Sequence, residues 1–90
     1  MVHEGCHRHT TGYLEISKHF HDNSPSPCSH FCKEYRFFAL KGKWCNCGNT
    51  VALLHKTERV YCIEMCPGMN GVSCGSMKDT FVDIYRHITG

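Results

Sequence analysis

The sequence predicts an α+β fold: a small disulfide-rich domain in which a twisted antiparallel sheet carries two short helices, held together by four disulfides. Three observations predict it. Cys28 and Cys32 are four apart, which on a helix places both side chains on one face, about 6 Å apart along the axis. Cys45 and Cys47 are two apart, which on a strand places both on one face at about 6.7 Å. Two thiols on a helix can therefore meet two thiols on a strand, and this spacing permits either pairing of the four. Cys6, Cys62, Cys66 and Cys74 bring the total to eight in 90 residues, a density typical of disulfide scaffolds in an oxidising compartment.

The elements follow in order. Extended segments are expected around Gly5-Cys6 and around Tyr13 to Ile16, broken at Thr11-Gly12. The cluster from Asp22 to Pro27 is a turn that starts a helix, with Ser26 as N-cap and Pro27 as first helical residue. That helix should run to about Tyr35, with Cys28, Phe31, Cys32 and Tyr35 on its inner stripe. Arg36 to Leu40 has strand composition, Lys41-Gly42-Lys43 a tight turn, and Trp44 to Cys47 the returning strand, ended by Gly48-Asn49. Val51 to Leu54 reads equally as a turn of helix or a buried loop. A second helix is expected from Glu58 to Cys66, stopped by Pro67-Gly68. Met69 to Ser76 reads as a glycine-rich loop. Phe81 to Ile88 is a strand whose inward phase carries Val82, Ile84 and Ile88. Phe31, Phe38, Leu40, Val82 and Ile84 form the expected core.

Ninety residues make one domain, 1–90, with its core at about 4–88, near the size where apolar burial alone becomes marginal. Lys and Arg exceed Asp and Glu by two, too weak a field to gather nucleic acid. No apolar run is long enough for a membrane span. Met1 to Glu4 contain no secretion signal, so the expected origin is the mature part of a secreted protein or a piece of a longer one. Zinc is the competing use of cysteine, but structural sites favour C-x2-C knuckles, and the sequence contains none. For catalysis there is no serine motif, metalloprotease helix or phosphate loop. Asp79 and Asp83 share a face only in a helix, and their segment has a strand pattern. An enzyme is not expected, nor a cofactor.

The order of motifs resembles a WSC domain. The residues that carry it are Gly5-Cys6, Cys28-x3-Cys32, Phe38-Ala39-Leu40, Cys45-x-Cys47-Gly48-Asn49, Cys62-x3-Cys66-Pro67-Gly68, Cys74-Gly75 and Tyr85, over residues 4–86. His7 stands where the family often has an aromatic, and Ser76 where a second glycine is common. Such domains occur in fungal wall-stress sensors, polycystins, Kremen-type co-receptors and secreted carbohydrate-active enzymes. The resemblance implies the pairing Cys6–Cys62, Cys28–Cys45, Cys32–Cys47 and Cys66–Cys74. It also implies an extracellular recognition module, secreted or part of a surface protein, whose partner is a glycan or a cell-surface glycoprotein. The alternatives are a secreted effector, such as a channel-blocking toxin or antimicrobial protein, and a protein–protein interaction module of a surface receptor. A toxin of this build is normally shorter, with a dense basic face. The isolated domain is expected to be monomeric.

A sugar site needs a flat aromatic face and polar partners for hydroxyls. Trp44 is the candidate platform, with Lys43, Asn46 and Asn49 as hydroxyl partners; the competing reading has Trp44 capping the core over the Cys28–Cys45 bridge. Five of the eight histidines lie in residues 3–21. His7 with His9, and His19 with His21, have strand-face spacing that suits Zn²⁺ or Cu²⁺, against the plainer reading of a solvated, weakly basic segment. Histidine protonation would raise the charge of the chain in acid.

Overall fold

The hairpin at the centre of the fold is the part most directly dictated by local sequence. Phe37–Lys41 (β3) and Trp44–Gly48 (β4) pair antiparallel with Lys41 opposite Trp44 across a two-residue connection. Around it lie Val2–Arg8 (β1), Ile16–His19 (β2), a helix Pro25–Phe31 (α1), His55–Lys56 (β5), Met65–Cys66 (β6), Met69–Ser73 (β7) and Phe81–Arg86 (β8). The computed structural model describes residues 1–9, 14–51, 54–77 and 80–88. The expected break at Thr11-Gly12, together with Tyr13, Ala52, Leu53 and Asp79, lies outside the described residues.

Six strands form one antiparallel sheet in the order β2-β4-β3-β8-β1-β5, and β6 and β7 form a separate hairpin. The last strand is thus inserted between the first and third. Four bridges join Cys6–Cys62, Cys28–Cys45, Cys32–Cys47 and Cys66–Cys74, the partners that the resemblance implies. Two of them fasten α1 to β4, so Cys28, Cys32, Cys45 and Cys47 merge with Phe38, Leu40, Cys66, Cys74 and Tyr85 into a core on one face of the sheet. On the other face, Ala39, Val82 and Ile84 pack with Leu54, flanked by Leu14, Phe37 and Val51.

Several expectations are corrected. The helix begins at Pro25 rather than Pro27, with Ser24 in the N-cap position and Cys32 as C-cap. Pro25 fits the first helical position as well as Pro27 does, because neither has an N–H to leave unbonded. Tyr35 therefore lies beyond the helix, its N–H bonded to the Cys32 carbonyl at 2.8 Å. Phe31 is only partly buried, packed against the rim of the core.

The second helix does not form. Arg59–Tyr61 makes a single 3-10 turn, and Met65–Cys66 is strand. Cys62 and Cys66 are called in opposite directions, one to β1 and the other to Cys74. Glu64 spends both backbone groups outside any helix, donating to Gly75 at 3.0 Å and accepting from Cys74. The fold is accordingly mostly antiparallel sheet, with one helix among the described residues. Part of the expected loop 69–76 is strand β7, hairpinned to β6. Along β8, Asp83 and Tyr85 are buried along with Val82 and Ile84, because this strand is central and covered on both sides. Ile88 follows the strand and is exposed.

Candidate functional site

Trp44 opens β4 and sits directly opposite Lys41 on β3 and His19 on the edge strand β2. The residue is 42% exposed, which assigns it to the surface rather than to a cap over the Cys28–Cys45 bridge. The alternation of β4 explains why. Cys45 and Cys47 point to the helix side, so Trp44 and Asn46 point to the other. The His19 and Trp44 rings meet in a T-shaped arrangement, with centroids 5.1 Å apart and planes at 78°.

The backbone beneath this ring is fixed from within. The side chain of the fully buried Asn23 donates from Nδ2 to the carbonyls of Gly42 (2.8 Å) and Trp44 (3.0 Å). Gly42 takes a left-handed φ of 57°, which the two-residue connection requires and glycine adopts without steric cost. Asn23 is itself held, its carbonyl accepting from Gly68 at 2.9 Å. One buried amide thus joins the β3–β4 turn to the segment that leads into α1. The Lys41 ammonium donates to the Ser76 carbonyl, while Lys43 is exposed in the turn.

The four sugar-site candidates are not all equally placed. Lys43 adjoins Trp44 in the turn. Asn46 shares the face of Trp44 but is buried, its amide 3.4 Å from the Ala39 carbonyl. Asn49 lies past the far end of β4, about 13 Å along the strand or more by the rise per residue. There it accepts from the Arg36 N–H at 3.0 Å and donates to Glu15 at 3.4 Å. The cross-strand neighbours Ser17 and His19, both exposed, stand beside Asn46 and Trp44 instead. Nothing local in the sequence links residues 17 and 19 to residue 44; only the β2–β4 register does.

A second aromatic group spans the sheet. The His3 ring stacks on Tyr85 at 4.6 Å, and Tyr85 stacks on Phe38 at 5.1 Å. The buried Asp83 carboxylate receives His3 Nε2 at 2.9 Å and the Gly75 N–H at 2.7 Å. Burial pushes the Tyr85 hydroxyl above its ordinary pKa, and the neighbouring Asp83 carboxylate pushes it further. A shallow cavity of about 330 Å³ beside it is lined by His3, Arg59, Val72 and Tyr85, among others, but Tyr85 itself is buried and offers no open ring face. Tyr61 is exposed with one face stacked on Phe81 at 4.8 Å.

His7 is buried, with Nδ1 at 3.1 Å from the Gly5 carbonyl, and His19 is engaged with Trp44. Among the described residues, His7, His9, His19 and His21 enter no cluster of three metal-ligating side chains. The sulfurs of Cys28, Cys32 and Cys45 do lie within 4.8 Å of one another, but each is committed to a bridge. Among the described residues no helix is long and apolar enough to cross a membrane.

The family model described as the WSC domain covers residues 3–76 of the 90. A search of curated proteins gives no match.

Proposed function

The chain belongs to the WSC domain family, and on that premise we propose that it is an extracellular recognition module that binds a glycan without catalysing a reaction on it. The observation that carries this reading is the placement of Trp44: the one tryptophan of the chain, open to solvent, on a turn pinned by a buried asparagine. An indole face suits the C–H side of a pyranose, and Lys43, Ser17 and His19 stand near enough to meet its hydroxyls. Asn46 supports this surface from below, and Asn49 serves only a ligand several sugars long. Such a surface is shallow, so each site binds weakly and useful avidity needs several copies. All eight cysteines are oxidised, which leaves no thiol for nucleophilic chemistry and suits a secreted or cell-surface setting.

A protein-binding role is the second reading, favoured by the exposure of Val60 and Ile63 at 63% and 70%. The two separate cleanly, because Trp44 is the only indole reporter. Titration with neutral wall polysaccharides and glycan arrays should quench or blue-shift its fluorescence, and Trp44→Ala should abolish neutral-glycan binding with near-ultraviolet dichroism from the tyrosines intact. Neutral-glycan binding that survives Trp44→Ala, or no neutral-glycan binding at all, overturns the proposed site.

A further inference from the structure

Where α1 meets the chain after β8 lies a cleft of about 530 Å³, whose lining includes Ser26, Ser29, His30, Lys33, Arg36 and His87. Its walls come from four places in the chain: Met1, α1, the turn that follows it, and the segment after β8. His87 locks the last three together. Its N–H donates to the Arg36 carbonyl at 2.9 Å, its Nδ1 lies 2.7 Å from the Tyr35 carbonyl, and its Nε2 lies 2.8 Å from the Ser29 hydroxyl. Nδ1 donates to the Tyr35 carbonyl, and Nε2 faces both the hydroxyl and, at 3.2 Å, the carbonyl of Ser29. The Arg36 backbone is fixed a second time by its N–H on Asn49 Oδ1. The cleft is therefore preformed, and ligand binding need not pay to order it.

Its charge is one-sided. Lys33 and Arg36 are exposed and have no ion-pair partner among the described residues, whose salt bridges are His3–Asp83 and Arg86–Glu4. His30 adds an ionisable imidazole, and Glu34 is the acid on the lining. Glu15 lies behind the rim, engaged with Asn49. A guanidinium fork, an ammonium and the Ser26 hydroxyl on one lining match a planar carboxylate or a sulfate ester, which accepts charge-assisted hydrogen bonds from each. We infer that this cleft binds the anionic group of an acidic saccharide, a sulfated or uronate-bearing sugar, at a site separate from Trp44. The saccharide part of this inference rests on the recognition function proposed above; the oxyanion part rests on the cleft alone.

The test uses the oxidised whole chain, titrated by nuclear magnetic resonance and calorimetry with a sulfated oligosaccharide, an oligouronate, and the desulfated or reduced neutral counterpart of each. The charged ligands should bind at least tenfold more tightly than the neutral ones, shift the amides of residues 29–36 and 87, and weaken as salt rises. Lys33→Gln with Arg36→Gln should cut that affinity tenfold or more, while neutral-glycan binding at Trp44 is unchanged. Equal affinity for charged and neutral sugars, or no effect of the double substitution, overturns the inference. Inorganic sulfate, a phosphopeptide or an anionic lipid vesicle binding as tightly as the saccharides overturns its assignment to sugars. Acidic saccharides that bind equally well to Trp44→Ala and to the parent uphold the cleft even if the Trp44 surface proves inert.

Discussion

Gly75→Ala and Gly71→Ala provide a matched pair whose difference measures how tightly the hairpin is keyed into the sheet. Both glycines have positive φ, 63° and 91°, so alanine at either carries a backbone penalty of about 1–2 kcal/mol. They differ in what surrounds them. A Cβ at Gly71 meets nothing within 4 Å. At Gly75 it falls 2.5 Å from the Phe81 carbonyl oxygen, 2.8 Å from that of Leu40 and 2.9 Å from Val82 Cα. These are backbone atoms of two central strands, which cannot rotate aside. Residue 75 must therefore retreat, and with it the N–H that donates to the buried Asp83 carboxylate at 2.7 Å. A hydrogen bond to a charged group contributes about 1.5–3 kcal/mol, and its loss leaves the carboxylate partly unsolvated. Gly75→Ala should therefore cost about 3–5 kcal/mol and Gly71→Ala about 1–2 kcal/mol. Urea unfolding of the oxidised proteins, followed by far-ultraviolet dichroism, reads both from the midpoint at unchanged slope. Values for the two variants within about 1 kcal/mol of each other would refute the keyed-hairpin account.

Two further outcomes are expected. The pKa of the Tyr85 hydroxyl is raised by burial and by Asp83, so the folded state holds this proton more tightly than the unfolded chain; its contribution to stability is full below the ordinary tyrosine value of 10.0 and is lost as pH climbs through the higher folded-state value. Ultraviolet titration should show one tyrosine ionising after the others, and Asp83→Asn should bring that step earlier. Replacing both Cys66 and Cys74 with Ala opens a loop with a sequence separation of 8, for which chain entropy gives about 2.5 kcal/mol. The same treatment of Cys6 and Cys62, 56 apart, should cost about 4 kcal/mol, and a reversed order in thermal or urea unfolding contradicts this ranking.

What the sequence revealed, and what it hid, divides along the distance between interacting residues. The β3–β4 hairpin was legible because its apolar run, glycine turn and C-x-C all lie within a dozen residues. Trp44 was legible as a candidate for the same reason, while its neighbours Ser17 and His19 were not, since the β2–β4 register is set far from either strand. The Cys62-x3-Cys66 spacing suggested helix, yet each cysteine answers a different partner, and Val60, Tyr61 and Ile63 are indifferent helix formers. Strand β7 escaped notice because Asn70 and Gly71 are poor strand residues; its pairing with β6, closed by the Cys66–Cys74 bridge, supplies what propensity lacks. Alternation along β8 suggested one wet face. Nothing in Asp83 itself signals burial: the carboxylate is admitted because Gly75 and His3 reach it from other segments.

The covering of both sheet faces determines where recognition can occur. With the helix and hairpin on one face and Leu14, Val51 and Leu54 on the other, the broad surfaces of the sheet are spent on the core. Ligand contacts are left to the rim: the Trp44 end of the edge pair β2–β4, and the cleft where α1 meets the chain after β8. Each of these places is tied to a bridge or a buried amide, Trp44 through Asn23 and the cleft through His87 and the helix staple. A rim site on so small a domain cannot enclose a ligand, so its affinity must come from preorganisation, which reduces the ordering cost of binding. Under the proposed function, the bridges serve recognition as well as stability. On this account, reducing Cys28–Cys45 and Cys32–Cys47 should weaken ligand binding under conditions where the sheet still persists, because the platform loosens before the core is lost.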